Sequence, residues 1–104
     1  MVLYVRKYDI RPEKAEDFAE WAKSARGRMF AVLGIIELRA YRPATGKHQV
    51  VVTYEFADRS SWAAWNSSEE MQKLSDEARA YITNASYELW GPSPIVPEPI
   101  RPGQ

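Results

Sequence analysis

The chain has 104 residues, of which 45% are hydrophobic and 27% charged; acidic and basic side chains balance, and there is no cysteine. These values describe an ordinary globular chain with enough length for one domain and one core. A net charge of zero without a basic run gives no electrostatic support for a nucleic acid or an anionic membrane as partner, and the missing cysteine removes disulfides, thiolate zinc sites, iron–sulfur clusters and cysteine nucleophiles.

Val2 to Ile10 is rich in Tyr and Val and predicts a first strand, with Leu3 and Val5 on one side and Tyr4, Arg6 and Tyr8 on the other. Arg6 and Lys7 come before any apolar stretch long enough for a signal peptide, so a cytoplasmic protein is expected. Arg11-Pro12 breaks the strand, and Pro12 suits the first turn of a helix.

Glu13 to Leu33 predicts that helix. Ala15, Phe18, Ala22, Ala25, Met29, Val32 and Leu33 recur at steps of three and four and form one apolar stripe. Glu13, Glu16, Asp17 and Glu20 gather at its start and Lys23, Arg26 and Arg28 in its later turns, which complements the helix dipole. The carboxylates at helical spacing could be drawn as a metal face, but a solvated, dipole-matched surface is the better reading, and no metal is expected. Gly34 stands where a helix stop calls for positive φ. The longest near-apolar run, Met29 to Ile36, is far too short to cross a bilayer.

Ile35 to Phe56 reads as a hairpin, two β-rich runs around a Pro, Ala, Thr, Gly turn. With Thr45 near the tip, Ala40 faces Val50, Leu38 faces Val52 and Ile36 faces Tyr54. Those six share one oily side, and Glu37, Arg39, Tyr41, Gln49, Val51, Thr53 and Glu55 share the other.

Asp58 is a good N-cap for a short helical turn carrying Trp62 and Trp65. Ser67 with Glu70 has capping-box spacing for another helix, whose stripe is Met71, Leu74, Ala78, Tyr81 and Ile82 and which Asn84 could end. Ala85 to Trp90 predicts a last strand. Residues 1–91 thus form the expected domain, and 92–104 a Pro-rich tail, extended or polyproline-like, whose Ile95, Val96 and Ile100 could lie on a neighbouring subunit, with disorder beyond Pro97 as the equal alternative.

The order β-α-β-β-α-β predicts an α+β, ferredoxin-like fold with an antiparallel four-stranded sheet and both helices on one side. The other side, with Tyr4, Arg6, Tyr8, Arg39, Glu55 and Trp90 among its members, is too aromatic to be left in water and too charged to be fully dry. A second copy covering it satisfies both requirements, so a homodimer is expected.

On these residues the chain resembles the dimeric α+β-barrel superfamily over about residues 2 to 91. The passage YDIRPEKAEDFAEW gives strand, turn and amphipathic helix. YEFADRSSWAAWNSSEEMQKL resembles the strand, short turn and Ser-capped helix of antibiotic-biosynthesis-monooxygenase-like domains, and Arg6-Lys7-Tyr8 is similar to the opening of the NIPSNAP branch. The resemblance implies a dimeric barrel and, among the activities of the superfamily, cofactor-independent monooxygenation of a small aromatic or polyketide-like compound. Haem degradation fits poorly, because the lone His48 lies beside the hairpin turn and neither helix carries a histidine. Nucleophile elbows and phosphate loops are also absent.

Cofactor-free oxygenation asks for an apolar slot, a few donors and one base. Tyr4, Arg6, Tyr8, Arg39, Trp62 and Trp65 are the candidate binding residues. Glu55, Arg39 and His48 are the candidate catalytic residues, with Glu37 and Glu88 as further carboxylates. No cofactor is expected. The same residues would also serve a dimer interface without chemistry, so a ligand-binding or scaffold protein, or a small lactone or ketone isomerase, stays open beside the oxygenase.

Overall fold

The computed structural model describes residues 1–103. It is a four-stranded antiparallel sheet in the order β2-β3-β1-β4, built from β1 (Val2–Ile10), β2 (Glu37–Tyr41), β3 (Val50–Phe56) and β4 (Ile82–Trp90). A 3-10 turn at Pro12–Lys14 leads into α1 (Ala15–Ala31), and α2 (Arg59–Asn66) and α3 (Glu69–Ala78) join β3 to β4. This is the ferredoxin-like α+β fold expected from the order of elements. Among the described residues, no helix is long and apolar enough to cross a membrane.

The local chemistry of the helix starts is as anticipated, with one shift. Asp58 accepts a hydrogen bond from the Ser61 amide at 2.8 Å and caps α2. The cap of α3 is Ser68, not Ser67: its hydroxyl accepts from the Met71 amide at 3.2 Å, while Ser67 closes α2. Val32 ends α1 in an extended conformation, and Gly34 follows with φ +132°, the backbone region that favours glycine.

Three expectations need correction. First, the hairpin register is displaced by two residues. Leu38 faces Tyr54 and Ala40 faces Val52, because the bend turns at Gly46, φ +99°, and not around Thr45. A shift of two preserves the face of every side chain, so the oily and mixed sides of the hairpin stand as read. Ile36 lies outside β2 and is mostly exposed.

Second, β1 is the other way over. Tyr4 pairs with Tyr54, Arg6 with Val52 and Tyr8 with Val50, so Tyr4, Arg6 and Tyr8 face the helices, and Leu3, Val5 and Lys7 face away. Assigning sides by aliphatic character alone misjudged the aromatics. A tyrosine ring buries more area than a valine and needs only its hydroxyl kept satisfied. Arg6 stays on that side because its guanidinium lies over the rings of Tyr8, Tyr54 and Tyr87, at 5.7, 6.0 and 5.7 Å.

Third, α3 stops at Ala78, and β4 begins at Ile82 instead of Ala85. Ile82 is β-branched and pairs with Ile10. The Tyr81 ring stacks on Trp21 at 5.4 Å, and its carbonyl accepts from the Arg11 amide at 2.8 Å. Asn84 does not end a helix; it takes φ +54° at a bulge where β4 carries one extra residue against β1, and its amide donates to Asp9 at 3.2 Å.

The core is formed by Tyr54, Phe56, Trp65, Met71 and Leu74, with Val2, Ala78 and Ile82 around them. In contrast, Ala25 is the one fully buried residue of α1, and Leu33, at the end of its expected stripe, is 90% exposed. The helix stands off the sheet over a cavity. From Pro92 to Gly103 the chain is exposed and forms neither helix nor strand; Gln104, the end of the expected tail, lies outside the described residues.

Candidate functional site

The space beneath α1 is an inner chamber of about 230 Å³ between the sheet and the helices. Its walls are mostly apolar: Phe18, Ala25 and Met29 from α1, Leu38 and Val52 from the sheet, Met71 and Leu74 from α3. Arg6, Tyr8 and Tyr54 supply polar atoms from β1 and β3. The Arg6 Nη1 donates to the Tyr54 hydroxyl at 3.0 Å, and among the described residues no carboxylate is paired with this guanidinium. A half-buried cation without a counter-charge is costly unless something anionic or strongly dipolar answers it.

Among the described residues, no Asp, Glu or His lines the chamber. Burial raises the pKa values of the Tyr4 and Tyr8 phenols, against the pull of the neighbouring Arg6. Both hydroxyls therefore remain protonated donors at neutral pH and do not act as bases.

Beside Arg6 the aromatic packing continues toward α2. The Tyr4 ring meets Tyr54, Trp62 and Trp65 at 5.9, 5.7 and 6.1 Å and stacks on Tyr87 at 6.3 Å. The indole N–H groups of Trp62 and Trp65 are buried without a hydrogen-bond partner. Leaving such a donor unsatisfied costs about 1–3 kcal/mol.

Five of the sequence candidates, Tyr4, Arg6, Tyr8, Trp62 and Trp65, thus come together on the helix side of the sheet. The others do not join them. Arg39 and Glu55 lie on the opposite, open face, where Arg39 pairs with Glu37 and Glu55 stands directly across from Glu37. His48 sits in the hairpin turn and lines neither the inner chamber nor the concavity of the open face. Strand alternation is the reason: in the β2–β3 register, Arg39 and Glu55 fall on the face that Leu3 and Val5 share. Sequence reading missed Tyr54, placed among core residues although its hydroxyl is the partner of Arg6. It also missed Trp21 and Phe18, which line the chamber and pack against Tyr81 outside it. Phe18 and Trp21 stand three apart on one helix, and that spacing was the available signal.

A short ionic staple holds the roof. Arg28 of α1 donates to both oxygens of Glu77 of α3 at 2.7 and 2.8 Å and also to Glu70, and the Trp21 indole donates to Glu77 at 2.9 Å. These donors, Arg28 foremost, hold the Glu77 carboxyl down to about 2.

Comparison with known proteins agrees with this architecture. A family model for antibiotic biosynthesis monooxygenases matches residues 1–77. A solved structure described as an antibiotic biosynthesis monooxygenase superposes with a TM-score of 0.72 at 14% identity, over 90% of this chain and 100% of that one. SnoaB, a cofactor-independent oxygenase from Streptomyces nogalater, gives 0.70 at 15% identity over 93% and 97%. A dabb family protein with a ferredoxin-like fold from Mesorhizobium loti gives 0.76 at 12% identity over 88% and 96%. No curated protein sequence matches the chain. At such identities the superpositions speak for the fold, and the match over residues 1–77 speaks for the lineage: the chain belongs to the antibiotic biosynthesis monooxygenase family.

Proposed function

We propose that the protein is a cofactor-independent monooxygenase that oxidises a small electron-rich aromatic, a phenol or enol, held in the inner chamber. The observation that carries this reading is the Arg6 guanidinium, without a carboxylate partner, at the wall of a mostly apolar cavity and tied to Tyr54 at 3.0 Å. Ionising a phenol or enol creates an oxyanion whose charge spreads onto ring carbon. Arg6 and the Tyr54 hydroxyl can offset that charge, and the mostly apolar walls strengthen the interaction.

The anion is the species that reacts with dioxygen. At a methylene carbon, attack places a hydroperoxide on carbon, and loss of water leaves a carbonyl. One oxygen atom ends in the product and one in water, and the substrate carbon supplies all four electrons. The protein binds, orients and holds charge, and the first proton leaves with solvent because no carboxylate or imidazole lines the chamber.

The same feature weighs against the isomerase reading. An isomerase must return the proton to a second carbon, which calls for a positioned base within hydrogen-bond reach. A ligand carrier of the same fold would bind without turnover. Oxygen-electrode measurements with anthrone and with a hydroquinone separate the two. Uptake that falls at least about tenfold in Arg6→Gln is expected, since a charge-assisted hydrogen bond is worth on the order of 1.5–3 kcal/mol. Ligand binding with no uptake by the unaltered protein would leave the carrier.

We propose as well that two copies pair through the open face. Met1, Tyr41 and Trp90 lie there 64%, 50% and 46% exposed, around a shallow concavity that also holds Leu3 and Val51. A contiguous apolar area of that kind, edged by Glu37, Arg39 and Glu55, fits a twin better than water.

A further inference from the structure

The inner chamber is not the whole space. A second, outer chamber of about 220 Å³ adjoins it, and the two share Arg6, Met71 and Ser75. The outer one is more polar: Asn66, Gln72 and Arg79 stand at its rim, with the Tyr4 and Tyr87 rings beside Arg6. Acidic and basic residues are equally numerous in the chain, yet they are not equally shared here. Arg6, Lys23, Arg26 and Arg79 line the two chambers, and among the described residues no Asp or Glu lines either.

Arg79 is also available. Its one ionic partner is Asp76, three residues back on the same turn at 3.4 Å, with both side chains largely in water. Exposed pairs of this kind contribute little and exchange readily for a better-placed anion. Arg6 has more donors than its single bond to Tyr54 uses. A mostly apolar inner chamber that shares the Arg6 guanidinium with an acid-free, arginine-edged outer one makes a receptor with two ends of different chemistry.

We infer that the ligand is an aromatic carboxylic acid, its ring system in the inner chamber and its carboxylate in the outer one, held by Arg79 beside Arg6. This rests on the reading of the inner chamber as the substrate site, and adds Arg79 as the residue that selects acids over neutral relatives. The carboxylate remains unchanged by the reaction; it fixes which way round the ring enters.

Calorimetric titration of the full-length protein with 1-naphthoate and with its methyl ester tests the inference. The acid binds up to about fivefold tighter than the ester, the gain of a single favourable surface ion pair, and added salt narrows the gap. Arg79→Gln abolishes the gap and leaves the ester unaffected; Arg79 is a surface residue, so the variant folds, which its melting curve verifies. Equal binding of acid and ester, no binding of either, or a gap that survives in Arg79→Gln would overturn the inference. Oxygen uptake keeps this apart from the oxygenase reading. Acid-selective binding without uptake retires the oxygenase alone, and uptake with a neutral anthrone that is matched by its acid derivative and unchanged in Arg79→Gln retires the carboxylate alone.

Discussion

Tyr54→Phe isolates the contact on which the inner chamber depends. The ring is 2% exposed and packs on Trp65 at 5.4 Å and on Tyr4 at 5.9 Å. Phenylalanine preserves both contacts. Only the hydroxyl is lost, and with it the acceptor of the Arg6 Nη1 bond at 3.0 Å. Hydrogen bonds to a charged group contribute about 1.5–3 kcal/mol. Arg6 is half-buried and faces a cavity that water can share, so the lower end applies, about 1.5 kcal/mol. For a domain of this size that corresponds to a fall in Tm of roughly 6–12 °C. Urea titrations at fixed protein concentration measure it as a lower midpoint at unchanged slope. Arg6→Met and the double variant complete a cycle, and the double variant is expected to lose less than the sum of the single losses. A Tyr54→Phe protein within about 0.3 kcal/mol of the parent would refute the argument, because Arg6 would then be served by water and the hydroxyl would not hold it.

Further outcomes follow from the same geometry. Ala25→Leu pushes three more carbons into the inner chamber; their burial contributes up to about 2.4 kcal/mol before strain, so stability holds or rises while aromatic binding by calorimetry is lost. Glu77 has its folded-state pKa depressed, to about 2, so its contribution is complete above the ordinary carboxylate range and disappears as pH falls from about 4.5 toward 2; the urea midpoint drops over that window, and Glu77→Gln flattens the drop. Asn84→Gly is tolerated at φ +54°, whereas Asn84→Val lowers stability by about 1–3 kcal/mol in the same melts, since a β-branched residue is strained there. Sedimentation should give twice the 12.0 kDa chain mass for the parent and the single chain mass for Val51→Arg, which puts a charge on the open face.

Much of this architecture is legible in the residues, and the failures have identifiable causes. The element order follows from local signals: Pro12 after a strand, Asp58 before Trp62 and Trp65, the Met71, Leu74, Ala78 stripe. The hairpin faces survive a register error because the error is even. The side of β1 is not legible, since Tyr4, Arg6 and Tyr8 are amphipathic and alternate with aliphatics; only pairing to β3 decides which set meets the helices. That one strand moves Arg6 away from Arg39 and Glu55, and with it the site. Tyr81 and Ile82 satisfy the helical period of α3, yet Trp21 and Ile10, both distant in sequence, claim them. The place of Arg79 on the outer chamber carries no local signal at all, because no window of sequence contains that cavity.

The position of β1 has a mechanical consequence. It is bonded to β3 on one side and β4 on the other, so its register is fixed along nearly its whole length. Alternate residues then present Arg6 to the inner chamber and Leu3, Val5 and Lys7 to the open face. Slipping by one residue would exchange the two sets and put the guanidinium on the wrong side of the sheet. The bulge at Asn84, with its bond to Asp9, sits where β1 ends and resists such a slip. If a second copy covers the open face, it presses on the strand that holds Arg6, and no separate element has to relay the contact. Assembly and charge stabilisation would then share a backbone segment, so a variant that separates the copies should loosen Arg6 without altering any residue of the chamber.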